Sequence, residues 1–216
     1  AVEGIDFEIQ EGELFCLLGH NGAGKSTTIQ VLSGLLEPSA GSVSIFGRHI
    51  FKNRRSRIGL CPQNNLLFDD LTVREALTVC FELRNWQIQM VDDVLAPGDY
   101  VNDKKSKLCG QLSGGWKRKL CCVIAFCGNP ELVILDEPTS GMDPANRRAT
   151  WDFLLRRKRK SLKNSCSILL TTHHMDEADV LSDRICILKD GAVECLGTTR
   201  FLKEKYDCGY ELTVIL

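Results

Sequence analysis

Gly19-His20-Asn21-Gly22-Ala23-Gly24-Lys25-Ser26-Thr27 fills every fixed position of the pattern G-x-x-x-x-G-K-[ST]. It lies between a strand-like apolar run, Leu14-Phe15-Cys16-Leu17-Leu18, and a helix-like run. Glycines at these spacings permit a tight turn whose amide hydrogens converge on one anion, so phosphate is held by backbone. Lys25 reaches β- and γ-phosphate oxygens as a compact cation, and Ser26 offers a hydroxyl to Mg2+. The helix that opens there adds the positive end of its dipole.

Farther along, Leu132-Val133-Ile134-Leu135 is a continuous apolar run that ends in Asp136-Glu137-Pro138. Such a run predicts a strand buried on both faces of a parallel sheet, with its acids at the carboxyl end where α/β sheets bind ligands. Asp136 is placed to hold Mg2+ through water, and Glu137 to serve as general base for a water attacking the γ-phosphate. A third feature, Leu112-Ser113-Gly114-Gly115, precedes a helix expected over Trp116 to Phe126. It reads as a second phosphate-binding helix terminus, or as an ordinary cap by Ser113 followed by hinge glycines.

Strand-like and helix-like segments alternate, which indicates an α/β fold with a mostly parallel sheet. Strands are expected near Val2 to Ile9, Leu14 to Leu18, Gly41 to Phe46, Ser56 to Cys61, Leu132 to Asp136, Ser167 to Thr171 and Arg184 to Leu188. Between Thr72 and Phe126 the β-alternation is lost. Val73 to Arg84 reads as a helix, and a turn-rich passage follows through Ala96-Pro97-Gly98 and Asp103-Lys104-Lys105, so this stretch is an inserted helical subdomain. The core is then 1–71 plus 127–216, the insert 72–126, and about 198–216 the start of a C-terminal extension.

With 216 residues and an apolar fraction of 44%, a packed core is within reach. Lys plus Arg number 27 against 28 for Asp plus Glu, which gives no positive field for DNA or RNA, and no nucleic-acid partner is expected. The basic run Arg156-Arg157-Lys158-Arg159-Lys160 closes a helix that starts after Pro144, where cations complement the dipole. The chain starts at Ala1 without an initiator Met or a signal peptide, and no apolar stretch is long enough to cross a bilayer. As given, it reads as a soluble piece. Its eleven cysteines include no C-x-x-C pair and mostly sit in apolar runs, as free thiols acting as small hydrophobes in a reducing, cytosolic compartment.

Taken together, these residues resemble the nucleotide-binding domain of ATP-binding cassette transporters, and the likeness spans nearly the whole chain. Gly19 to Thr27 looks like Walker A, Leu132 to Glu137 like Walker B, and Leu112-Ser113-Gly114-Gly115 like the signature motif. Cys61-Pro62-Gln63 is similar to the Q-loop, Ser140-Gly141-Met142-Asp143 to the D-loop, and Thr171-Thr172-His173 to the H-switch. His20-Asn21-Gly22, Cys61-Pro62-Gln63-Asn64-Asn65, His173-His174-Met175-Asp176-Glu177-Ala178-Asp179, and Phe201-Leu202-Lys203 with Gly209-Tyr210 resemble the A subfamily, largely lipid exporters.

The resemblance implies a P-loop NTPase core with a small antiparallel β part, and ATP and Mg2+ as cofactors. Gln63 would sense Mg2+ and the attacking water and link the chemistry to transmembrane domains. His173 would contact the γ-phosphate. Ser113, Gly114 and Gly115 would bind the ATP held by a second nucleotide-binding domain, of the same or another chain, with Asp143 at that interface. The setting implied is the cytoplasmic face of a membrane, and the work is ATP-driven transport of a lipid-like substrate. Two other outcomes stay open: a regulatory cassette that binds ATP with little hydrolysis, and a soluble cassette ATPase without a transport role. Two departures stand out. The signature continues Trp116-Lys117 where many members carry Gln, and no adenine-stacking aromatic is assigned, since Phe7 reads as core. Leu66, Leu67 and Phe68, just after Gln63, are either a docking surface for the transmembrane partner or, the favoured reading, core.

Overall fold

The computed structural model describes residues 2–51, 58–84, 91, 101–160 and 166–206. At its centre is a six-stranded sheet. Its strands are β1 (Leu14–Leu18), β4 (Ile58–Cys61), β5 (Leu132–Asp136), β6 (Ser167–Thr172), β7 (Arg184–Lys189) and β8 (Ala192–Gly197), in the order β4-β5-β6-β1-β7-β8. All pairs are parallel except β7 with β8. A separate hairpin pairs β2 (Ser44–Ile45) with β3 (Arg48–His49) antiparallel. The helices are α1 (Lys25–Leu32), α2 (Val73–Leu83), α3 (Gly114–Ala125), α4 (Pro144–Lys160), α5 (Met175–Leu181) and α6 (Thr199–Lys205).

Strands β1, β5 and β6 are buried along their whole length because helices cover the sheet on both sides. Leu14, Cys16 and Leu18 alternate with Phe15 and Leu17, and the two sets enter different core clusters. The first cluster joins the sheet to α2, α3, α4 and α5 through Leu77, Phe81, Leu120, Leu154 and Leu181. The second joins it to α1 and the hairpin through Ile29, Ile45 and Ile50.

Helix α2 starts at a capping box: Thr72 Oγ1 accepts from the Glu75 amide at 3.3 Å, and Glu75 Oε2 accepts from the Thr72 amide at 2.8 Å. The segment before it is stitched to a 3-10 turn at Cys109–Gln111 by Cys109 N donating to Leu71 O at 2.8 Å and Gly110 N to Asp69 O at 3.0 Å. Helix α4 opens on Pro144 with Asp143 Oδ1 accepting from the Asn146 amide at 3.0 Å. Near its far end Lys158 pairs with Asp183 at 2.5 Å, a helix-end use of the basic run.

The expected strand over Val2 to Ile9 does not form. Ile5, Phe7 and Ile9 do turn inward alternately, and Phe7 stacks on Phe15 at 5.3 Å, as the core reading of Phe7 requires. Yet among the described residues the segment's backbone bond to the sheet region is the single Glu3 N to Gly191 O, at 3.0 Å, so it has the side-chain pattern of a strand without the ladder. The strand expected over Gly41 to Phe46 shrinks to Ser44–Ile45, because Phe46 (φ 48°) and Gly47 (φ 72°) turn the chain at once. Strand β8 was not anticipated, although Asp190-Gly191, with φ of 50° and 82°, is a strong hairpin signal between apolar runs. Helix α3 begins at Gly114, two positions before the expected Trp116. Ser56, Ala96-Pro97-Gly98, Cys208 and Gly209-Tyr210 lie outside the described residues.

Helix α3 crosses β4 so closely that a Cβ at Gly59 would lie 1.8 Å from the Ala125 carbonyl oxygen. Gly59→Ala is therefore expected to destabilise the fold by about 3 kcal/mol or more, as overpacking against immobile backbone does. Urea unfolding checks this, and an unchanged midpoint would show that α3 can lift from the strand.

Candidate functional site

The carboxyl ends of β4, β1, β5 and β6 meet at one edge of the sheet, and the residues singled out in the sequence follow directly from them. Leaving β1, Gly19 passes so near β7 that a Cβ there would sit 2.5 Å from the Leu188 carbonyl oxygen. Its amide donates to Thr172 O at 3.3 Å. The loop turns through Gly22 (φ 87°) and Gly24 (φ 101°) into α1, and Thr28 fixes the turn by donating from Oγ1 to Gly24 O at 2.9 Å. Asn21 and Gly22 are exposed at the loop tip, Ala23 and Gly24 are buried beneath it, Ser26 is exposed and Thr27 half-buried.

Lys25 is only 5% exposed. Its Nζ donates to the carbonyls of Gly19 at 2.8 Å and His20 at 3.1 Å, and lies 3.8 Å from Glu137 Oε1. The same Oε1 is 3.2 Å from His173 Nδ1. A cation, a carboxylate and an imidazole thus stand in line where three strands end. The carboxylate reaches this point because Glu137 adopts φ 49°, a conformation rare for a residue with a side chain. That turn is held by the Glu137 amide donating to both the carbonyl and Oγ1 of Thr171, each at 3.1 Å.

The Thr171 hydroxyl has a second role. It donates to Asp136 Oδ1 at 2.6 Å. One buried hydroxyl therefore orients Asp136 and supports the strained turn at Glu137. Sequence reading did not assign Thr171 this part, because the cross-strand register that sets it opposite Asp136 is a tertiary fact. An aspartate oxygen and the exposed Ser26 hydroxyl are hard donors of the kind that suits Mg2+. Among the described residues no group of three or more His, Cys, Asp or Glu forms a metal cage.

Gln63 lies exposed on the loop after β4. That loop is gripped through its backbone by Arg118, a residue the sequence reading passed over, which bonds the carbonyls of Pro62 and Gln63. Ser113 stands at the amino end of α3 but its side chain makes no capping bond, so the ordinary-cap alternative is not what the serine does. Asp143 caps α4, and the hydrogen bond from the Asn146 amide holds its carboxyl below the usual carboxylate range. Among the described residues no hydrogen bond or ion pair joins Ser113, Gly114, Gly115 or Asp143 to the group formed by Lys25, Asp136, Glu137 and His173.

Leu66 and Phe68 are 75% and 71% exposed, so the favoured core reading is wrong for both; Leu67 alone packs on the core, half-buried. They stay outside because the short loop after Gln63 runs over the surface. The described cysteines are free, and burial pushes the thiols of Cys121 and Cys127 up to about 12. They behave as small hydrophobes.

Residues 2–140 match the ABC transporter family. The whole chain is 43% identical to part of ATP-binding cassette sub-family A member 2 of Rattus norvegicus, covering 9% of that protein. It is 42% identical to part of phospholipid-transporting ATPase ABCA3 of Homo sapiens, over 100% of this chain and 13% of that one. The chain thus spans about a tenth of the length of these curated relatives. Among solved structures, the ATP-binding subunit of an ABC transporter superposes with a TM-score of 0.82 at 30% identity, over 95% of this chain and 87% of that one. A dimeric cassette in a post-hydrolysis state, bound to ADP and Pi, shares the fold with a TM-score of 0.78 at 24% identity, over 91% and 90% of the two chains.

Replacing the Thr171 hydroxyl by a methyl of the same shape leaves Asp136 and the Glu137 amide each short of a bond. Thr171→Val is expected to lower stability by about 1–3 kcal/mol. Denaturant unfolding measures it, and a loss near zero would mean that another group takes over both bonds.

Proposed function

This chain belongs to the ABC transporter family, and we propose that it binds ATP with Mg2+ at the sheet edge and hydrolyses it to drive transport across a membrane. The observation that carries this reading is the line of Lys25, Glu137 and His173, with Oε1 of Glu137 3.8 Å from the ammonium and 3.2 Å from the imidazole. A base beside a fixed cation, next to a phosphate-binding turn, is what attack of water on a phosphoryl group needs.

In this mechanism the amides of Gly19 to Thr27, among them Asn21, Gly22, Ala23 and Gly24, cradle the phosphates, and Lys25 neutralises the β- and γ-oxygens. Ser26, Asp136 and Gln63 would hold Mg2+, which would supply positive charge to the phosphate oxygens. Glu137 takes the proton from the attacking water. His173 holds the Glu137 carboxylate and reaches the γ-phosphate.

The other predicted residues serve a second molecule. A Cβ at Gly114 would meet nothing within 4 Å, and one at Gly115 only the Met142 side chain at 3.9 Å, so packing within the chain does not call for glycine there. Bare backbone at an uncapped helix tip suits close approach from outside. Ser113, Gly114 and Gly115 accordingly contact the triphosphate held by a partner nucleotide-binding domain, with Asp143 at the same interface. Two domains close head-to-tail on two nucleotides and open after hydrolysis.

On this reading 72–126 is a helical subdomain carrying the signature, inserted between core parts 1–71 and 127–216, and about 198–216 begins a C-terminal extension. Exposed Leu66 and Phe68 dock against transmembrane domains. Among the described residues no helix is long and apolar enough to cross a membrane, and the domain sits at the cytoplasmic face of the transporter it serves. The relatives named as phospholipid-transporting point to a lipid as the transported substrate.

Two measurements test this reading. Glu137→Gln is expected to cut ATP turnover by roughly 10²- to 10⁴-fold while nucleotide still binds; unchanged turnover would remove Glu137 from the chemistry. Gly114→Tyr is expected to leave thermal stability and ATP binding by the single domain unaltered while abolishing nucleotide-dependent pairing. Pairing that survives a tyrosine at the helix tip would exclude the tip from the interface.

A further inference from the structure

A guanidinium keeps its charge in a protein, and burying it without partners is costly. Arg118 is nevertheless only 3% exposed. It projects from α3 into the junction of three elements. Nη1 donates to the carbonyls of Pro62 and Gln63, the latter at 3.0 Å, and Nη2 donates to the carbonyl of Asp136. Nε is buried without a partner. All three acceptors are main-chain oxygens, so Arg118 fixes the backbones of Gln63 and Asp136 to one group on α3 without engaging their side chains.

Helix α3 has one end clamped and one end open. At the carboxyl end Ala125 is pressed against Gly59 with no room for a Cβ, so the helix does not slide there. At the amino end Ser113 makes no side-chain cap and Gly114 and Gly115 are uncrowded, the first turn being held to the loop before α2 by Lys117 pairing with Asp69 at 2.8 Å. Twelve residues make a rod of roughly 18 Å, and Arg118 sits about one turn behind the tip. A tilt of the rod about its clamped end would carry the guanidinium with it.

We propose that Arg118 is a positioning residue, a tie that makes the backbones of Gln63 and Asp136 follow the tip of α3. Engagement of that tip by a partner's nucleotide then sets the Mg2+-binding oxygens of this chain's own site, which links the two sites without a contact between them. This rests on the function proposed above. The planar fork is essential to it: two adjacent carbonyls and a third opposite are matched by an arginine and not by the point charge of a lysine.

The test compares ATP hydrolysis by the full-length natural protein with its Arg118→Lys and Arg118→Met forms. Both substitutions are expected to lower kcat by about tenfold or more while the KM for ATP stays within about threefold, since the cradle from Gly19 to Thr27 is untouched. Hydrogen exchange on the unsubstituted protein supplies a second readout. On adding ATP, amides at 63–66 and 114–118 should gain protection together, and in Arg118→Lys only those at 114–118 should do so.

A kcat within about twofold of the natural value in either variant overturns the proposal, as does full rescue by lysine where methionine fails. So does protection that appears at one segment without the other in the natural protein. Loss of the folded state in both variants also counts against it, because an arginine needed only for folding is structural. A natural protein that neither binds nor hydrolyses ATP would instead sink the function proposed above, and this inference with it.

Discussion

Parallel pairing of β5 with β6 and of β6 with β1 brings every chemical group of the site to one edge, and the rest of the molecule depends on it. The register sets Asp136 opposite Thr171 and Leu18 opposite Thr172, so the phosphate-binding loop, the paired acids and His173 start from the same level of the sheet. Parallel pairing demands that each strand be followed by a crossover and that both faces be covered. The two core clusters are the consequence. Shifting one strand by a residue would turn its apolar set over and carry the acids away from the loop.

Within that frame the site is organised by strong, short-range bonds to backbone. Lys25 is held over the loop by carbonyls of Gly19 and His20, and Glu137 is thrown toward it by a left-handed turn that Thr171 braces from two sides. Such a conformation costs of order 1–3 kcal/mol and persists where surrounding bonds over-determine it. The strain is spent on turning the Glu137 carboxylate to a point between a cation and an imidazole.

Helix α3 obeys a different rule. It is fixed to the sheet by the tight contact at Gly59 and by Arg118, while the Ser113 side chain at its amino end makes no capping bond. Packing buries the helix from Arg118 to Val123 and leaves Ser113 and Gly114 exposed. The exposed pair Leu66 and Phe68 on the loop that Arg118 grips extends the same logic to another surface.

The α/β class, the glycine-rich turn after β1, the acids at the end of β5 and the helix that follows Ser113 were legible in the sequence, because each is a local pattern: fixed spacings of glycine, lysine and hydroxyl, or an apolar run ending in charge. It did not settle whether Val2 to Ile9 pairs, since alternation reports which side chains face inward and is silent on whether a neighbour's amides are in reach. It missed β8 despite Asp190-Gly191, and assigned Leu66 and Phe68 inward from their apolarity. Thr171 bracing both acids, and Arg118 binding the loop before and the strand after its own helix, were decided by tertiary structure. Both depend on distances between residues far apart in the chain, and only the packed sheet fixes those distances.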